Sequence, residues 1–286
     1  MKIMNEKNTE KKIEKPSELY ISTKSACCKI NVLLNLNEIA KIVYNLMLIN
    51  NNDNNYIFQG IQFKDIYLNN LDKKKKIKRL FYNSCTIIVK HNLRLINIKL
   101  FLNGSISMTG CKDDNDGLNA VKLLVNNIKK YDAIFENKED KNKLKILDYR
   151  ITLINSNYSI NFNIIRQNLY ELLQNKYKLF VSYEATRYPG VKISYMWNQN
   201  KKYQNGICEC SKYCKGKGAQ YDGNGENRCK KITIAIFQSG NIIITGSKSM
   251  EQTYDAYNYI NKLLTKNYKK IVRFSIMDCV KDFTIS

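Results

Sequence analysis

Apolar and polar residues alternate with a period of two from Leu19 to Ile30, which predicts a strand with one buried face. Ile39, Ile42, Val43 and Leu46 then fall at helical spacing and predict a helix over 36–47. After an Asn-rich break, short strands are predicted over Ile57–Ile66, Thr86–Lys90, Ile96–Leu102 and Ser105–Thr109. Asn103-Gly104 is a hairpin signal, because both residues tolerate positive φ. Ala120, Leu123, Leu124 and Ile128 mark an amphipathic helix starting near Asp113 or Asp114, whose carboxylates suit a helix N-terminus. The rest of the chain repeats the order. Strands are predicted over Ile151–Ile160, Val191–Met196, Ile232–Phe237 and Asn241–Thr245, and helices over Ile164–Leu173 and Tyr254–Leu264. Strand, helix, antiparallel strands and long helix, twice, give an α+β fold with helices on one sheet face and the other face uncovered.

The repetition extends to individual residues. Phe101, Gly104, Thr109, Gly110 and Lys112 recur as Phe237, Gly240, Thr245, Gly246 and Lys248, all 136 residues on, and Ala120 and Ala256 keep the offset. Such a register implies two copies of one unit, packed as a pseudo-twofold pair. The copies span 17–131 and 146–270, joined by a linker at 132–145. A basic tail at 1–16 is too polar to offset its chain entropy by burial, and an extension occupies 271–286.

Composition narrows the partner. Over 286 residues the net charge is +22, which favours a polyanion, although Lys, Asn and Ile bias from AT-rich coding accounts for part of it. No apolar run approaches the roughly 18 residues that span a bilayer, and residues 1–15 resemble no signal peptide. The expected setting is therefore soluble and intracellular, with no membrane partner. His91 is the single histidine, so histidine-based hydrolysis would have to pass through one residue near a strand end. No catalytic residues and no small-molecule substrate are expected.

Nine cysteines without a secretory signal argue for thiols or metal ligation before disulfides. Cys208, Cys210, Cys214 and Cys229 lie on a Gly-rich segment too polar for a core of its own. They fit either one structural zinc ion in a tetrahedral thiolate site or four free thiols. Cys27, Cys28, Cys85, Cys111 and Cys279 read as small buried residues.

Taken together, these motifs resemble the TATA-box-binding protein family. The match runs from about Ser17 to Leu264. It includes Ile21-Ser22-Thr23 and Cys28-Lys29, Phe101-x-x-Gly104 with Thr109-Gly110, Ser182-Tyr183-Glu184 with Tyr188-Pro189-Gly190, and Phe237-x-Ser239-Gly240 with Thr245-Gly246. The resemblance implies a pseudo-twofold saddle. A curved antiparallel sheet lies beneath helices, and its concave face sits in the DNA minor groove. It implies a transcription-initiation factor, not an enzyme, that bends A·T-rich promoter DNA. Its partners would be double-stranded DNA and a B-type initiation factor or the RNA polymerase machinery.

Four aromatic wedges follow from the resemblance: Phe101 and Phe237 directly, Tyr188 where the family usually has Phe, and Phe58 as its counterpart, because Phe58-Gln59-Gly60-Ile61 parallels Tyr188-Pro189-Gly190-Val191. Core packing is the competing reading of these rings. Thr109 and Thr245 match minor-groove contacts, with Lys112, Lys248 and Lys64 toward phosphates. Glu184 matches an acidic contact to the B-type factor, although Thr186 and Arg187 depart from it.

Two central asparagines of the family are replaced by Leu19 and Leu153, with Asn155 as a substitute in the second copy. Those leucines motivate an alternative, a family-like scaffold without sequence-specific DNA binding. The insertions, 67–95 with its lysine run and 197–230 with its cysteines, are read as enlargements of one equivalent hairpin, the family's stirrup loop. Such remodelling would suit a large DNA virus, and the site of action would be the nucleus, a viral factory or the virion.

Overall fold

A computed structural model describes residues 14–49, 56–70, 83–210, 214, 216–217 and 229–274. The chain divides into two compact units, Ile21–Asn155 and the pair of segments Met1–Tyr20 with Ser156–Ser286. The expected basic tail, the Asn50–Asn55 break, the lysine run at 73–79 and Cys279 lie wholly or mainly outside the described residues. Among those described, no helix is long and apolar enough to cross a membrane.

The Ile21–Asn155 unit contains β1 (Tyr20–Ile30), α1 (Leu36–Ile49), β2 (Tyr56–Phe63), β3 (Ile66–Asn69), β4 (Ser84–His91), β5 (Arg94–Phe101), β6 (Ser105–Cys111) and α2 (Asp116–Ile128). Its strands lie in the order β3-β2-β4-β5-β6-β1, with antiparallel pairing. Period-two patterning puts Ala26, Cys28 and Ile30 of β1, Ile96, Ile98 and Leu100 of β5, and Ile106 and Met108 of β6 against Ile39 and Val43 of α1 and Ala120, Leu124 and Ile128 of α2. Each fully buried Ile, Leu, Val or Met side chain among them contributes about 1.5–3 kcal/mol, which holds the helices to that one face.

The second unit carries the end of β7 (Ile146–Ser159), which crosses the boundary, followed by α3 (Arg166–Glu171), β8 (Phe180–Ser182), β9 (Val191–Trp197), β10 (Lys230–Ile236), β11 (Asn241–Ser247), α4 (Met250–Lys266) and α5 (Tyr268–Ile271). Strand order is β11-β10-β9-β8. Ile232, Ile234, Ile236, Ile242 and Ile244 pack against Ala256, Ile260 and Leu264 of α4 and Leu169 of α3. Ser249 caps α4 by accepting from the Gln252 N–H, and the Gln252 side chain accepts from the Lys248 N–H at 2.8 Å. Both units are thus α+β, with antiparallel strands and helices on one face.

The repeated glycines sit where only glycine fits. Gly104 and Gly240 have φ of 76° and 81°, and a Cβ would collide with the carbonyl oxygens of Ile30 and Phe162 respectively.

Several expectations need correction. The strand expected over Ile57–Ile66 is two strands, broken at Lys64 with φ 49°. Helix α2 starts at Asp116 rather than Asp113 or Asp114, because the N–H groups of Lys112 and Asp113 donate to the Asp116 carboxylate and form a turn ahead of it. The helix expected over Ile164–Leu173 is α-helical only at Arg166–Glu171 and continues as a π turn. Strand β8 lies outside the predicted strands.

The insertions do not enlarge one equivalent hairpin. Residues 84–91 and 94–101 pair as β4 and β5, joined by Asn92 and Leu93. The span 67–95 therefore takes in strand β4 itself, and the inserted residues fall between β2 and β4, whereas the second insertion joins β9 to β10.

Candidate nucleic-acid interface

Opposite the helices, the strands of each unit present the alternate set of side chains. In the first unit Thr86, Lys99 and Ser107 lie abreast across β4, β5 and β6, and Ile88, Asn97 and Thr109 form the next row. β1 extends these rows with Cys27 beside Ser107 and Ser25 beside Thr109. In the second unit one row is Phe180, Ser194, Thr233 and Thr245, and the next includes Ser182, Lys192 and Ala235. Small hydroxyl side chains make these faces shallow, and lysines make them positive.

Phe101 and Thr109 both occupy the uncovered face. Phe101 is half-buried opposite Ser84, and Thr109 is exposed opposite Asn97. In the second unit Phe237 follows β10 on the same alternation as Thr233 and Ala235, and Thr245 faces Thr233. Tyr188 and Phe237 are brought together with ring centroids 5.7 Å apart and planes tilted by 53°. Lys192 Nζ stands 3.7 Å from the Tyr188 ring centroid, a cation–π contact. Lys112 and Lys248 directly follow the ends of β6 and β11, half-buried and exposed respectively. Asn155 is half-buried in β7, and its carbonyl accepts from Ser22 Oγ at 3.0 Å. Lys64 lies in the β2–β3 turn.

Phe58 is not on this face. It is 8% exposed within the first core, because its partner in β4 is Val89, a helix-side residue. Strand register identifies a different counterpart for Tyr188. Val191 pairs with Ile236 and Cys85 pairs with Leu100, with Ile236 and Leu100 at the 136-residue offset. Tyr82-Asn83-Ser84-Cys85 therefore matches Tyr188-Pro189-Gly190-Val191. Tyr82 itself lies outside the described residues.

A charged cluster braces the start of α2. Burial opposes ionisation of Asp116, yet the N–H groups of Asp113 and Lys112, with Arg94 and His91 alongside, outweigh it and hold the carboxyl below its ordinary 3.8. His91 stacks on Tyr56 at 3.9 Å, which assigns it to this structural cluster.

The cysteine hairpin is built from both arms. The Gly206 carbonyl accepts from the Met196 N–H, and the Gly216 carbonyl accepts from the Lys231 N–H at 2.7 Å. Lys201 Nζ binds the Ile207 carbonyl at 2.8 Å and Glu209 at 2.7 Å. The four sulfur atoms of Cys208, Cys210, Cys214 and Cys229 then lie within 4.8 Å of one another. Cys229 is 3.7 Å from both Cys210 and Cys208. These four residues could hold a metal ion. Burial pushes the Cys229 thiol well up, and the crowding of Cys210 and Cys208 pushes it further. Cys28, Cys85 and Cys111 are buried in the core, while Cys27 is half-buried.

Glu184 does not share a loop with this cluster. It lies in the β8–β9 connection, exposed and ion-paired to Arg187 at 3.3 Å. The hairpin leaves the other end of β9, about 20 Å away at the usual rise of a strand. The cysteine cluster and Glu184 therefore belong to opposite ends of β9.

The profile of the family described as "Transcription factor TFIID (or TATA-binding protein, TBP)" matches residues 220–267. A "TATA-box-binding protein-like" protein of Acanthamoeba polyphaga mimivirus is 30% identical over 284 residues, covering 91% of this chain and 69% of that one. A solved structure, "Methanococcus jannaschii TBP", aligns with TM-score 0.48 and 14% identity over 87% of this chain and 99% of its own.

Proposed function

The chain belongs to the TATA-box-binding protein family, and from that premise we propose that it is a transcription-initiation factor that binds and bends A·T-rich promoter DNA from the minor groove. The observation that carries this reading is the Tyr188–Phe237 pair at the end of a shallow, hydroxyl-lined, lysine-bearing sheet face. An apolar ring pushed between base pairs costs a few kcal/mol of stacking, offset by the surface that a bent duplex brings into contact. Phe101 would serve the first unit.

Thr109, Thr245 and Asn155 would face minor-groove acceptors. Lys112 and Lys248 would meet phosphates, which position the protein without reading sequence. Nothing in this role requires catalysis. The Glu184 loop would receive a B-type initiation factor or the polymerase machinery. The similarity to a mimivirus protein supports a large DNA virus as the source, acting in the nucleus or a viral factory.

Zinc is the metal we assign to the cysteine hairpin. Tetrahedral zinc with Zn–S of about 2.3 Å needs sulfurs about 3.8 Å apart, close to the 3.7 Å of two Cys229 contacts. The metal would tie both arms together and supply rigidity only.

Affinity for A·T-rich and G·C-rich duplexes across a salt series tests the reading. Salt-dependent binding is expected, because each neutralised phosphate adds about 0.9 to the slope of log K against log salt. Failure to bind either duplex at low salt would favour the scaffold alternative.

A further inference from the structure

Phe237 also lines a cavity of about 600 Å³, together with Arg166, Pro189, Gln238, Arg273 and Phe274. We propose that Arg166 and Arg273 form a phosphate clamp beside the Phe237 wedge and hold the DNA backbone that flanks the bent step. The inference rests on the DNA-binding reading above and adds residues that the sequence patterns do not mark.

Three features support it. Arg166 is already oriented: Nη1 donates to the Pro189 carbonyl at 2.6 Å, and its guanidinium lies 5.4 Å from the Tyr183 ring centroid. That uses one of its five N–H donors and leaves others for an anion. Arg273 is exposed, and its backbone is fixed by an N–H bond to the Asn163 carbonyl at 2.8 Å. Among the described residues no acidic side chain lines the cavity, and Glu184 is paired with Arg187.

An acidic protein segment would meet the same charge. DNA is favoured because Phe237 belongs both to this cavity and to the uncovered face. The minor groove is only about 6 Å wide, so a ring entering from it has both sugar–phosphate strands close by. Guanidinium also matches phosphate through two parallel N–H bonds, which a lysine cannot offer.

The test titrates the full chain with a 16-base-pair A·T-rich duplex in a potassium chloride series, using Arg166→Gln, Arg273→Gln and the double variant. The slope of log K against log salt should become shallower by about 0.9 per lost contact. Arg166→Lys should recover most of that slope. An unchanged slope in a double variant with a native melting temperature overturns the clamp. So does a slope unchanged in DNA binding while polyglutamate binding is lost, which would assign the cavity to an acidic protein. If Arg166→Gln disturbs folding through the Pro189 contact, Arg273→Gln alone decides. Absence of duplex binding by the unsubstituted chain is the separate failure, that of the DNA-binding reading itself.

Discussion

Tyr188 and Phe237 approach to 5.7 Å between ring centroids, although they come from the loop before β9 and the turn after β10. The pairing of Val191 with Ile236 brings them together. Gly190 makes the approach possible: a Cβ there would lie 2.9 Å from the Tyr188 ring and 3.2 Å from the Phe237 ring.

Alanine at Phe237 or Tyr188 should therefore weaken DNA bending more than folding. Base–aromatic stacking is worth about 1–3 kcal/mol, whereas a half-exposed ring contributes less to the core than a buried one. A bending assay beside thermal melts checks this. A large fall in melting temperature with unchanged bending would return both rings to a packing role. Phe58→Ala should do the reverse, destabilising by about 3–5 kcal/mol.

Cys229→Ser should reduce zinc from one equivalent per chain to well below half, by elemental analysis of reduced protein. Duplex affinity should change by no more than about 0.5 kcal/mol, because the hairpin leaves the end of β9 remote from the wedge pair. Less than half an equivalent in the unsubstituted chain would reject the metal. Loss of DNA binding on deleting 207–229 would instead place the hairpin on the nucleic acid.

Asp116→Asn should destabilise by about 1.5–3 kcal/mol at neutral pH, the range for hydrogen bonds to a charged group. Because its folded-state pKa lies below 3.8, this stabilisation is complete above the ordinary carboxylate range and is lost as pH falls through the folded value. Melting temperatures of the two proteins should converge in acid. A constant gap down to the lowest workable pH would remove the ionised carboxylate from the explanation.

Leu153→Asn should raise selectivity for A·T over G·C duplexes by about 1 kcal/mol, the typical net worth of one hydrogen bond, without steepening the salt slope. Leu19 is the poorer site for this change, since it packs against the second core. Competition between the two duplexes reads the outcome. Equal selectivity before and after would mean that this position does not face the bases.

Local patterning made β6 and β11 legible, because Gly104 and Gly240 and the alternating Ile106/Met108 and Ile242/Ile244 are set by turn and pleat geometry within a dozen residues. Which strand neighbours which is a long-range matter that periodicity does not encode. A short local match therefore pairs Phe58 with Tyr188, while β4 register aligns Tyr82 with it in sequence. Strand β8, with three residues, is too short for alternation to register. The cysteines were visible as a group, but their place relative to Glu184 depended on which end of β9 each loop leaves. Arg166 and Arg273 carried no motif; only folding brings them to one cavity.

The most direct test of DNA bending is energy transfer between dyes at the two ends of a short A·T-rich duplex, measured as the full chain is added at low salt. The expected result is a saturable rise in transfer, a shorter end-to-end distance, that is largely lost in the Tyr188→Ala/Phe237→Ala double variant while that variant still melts cooperatively. Saturable binding with no change in transfer, or no binding at all, would contradict it.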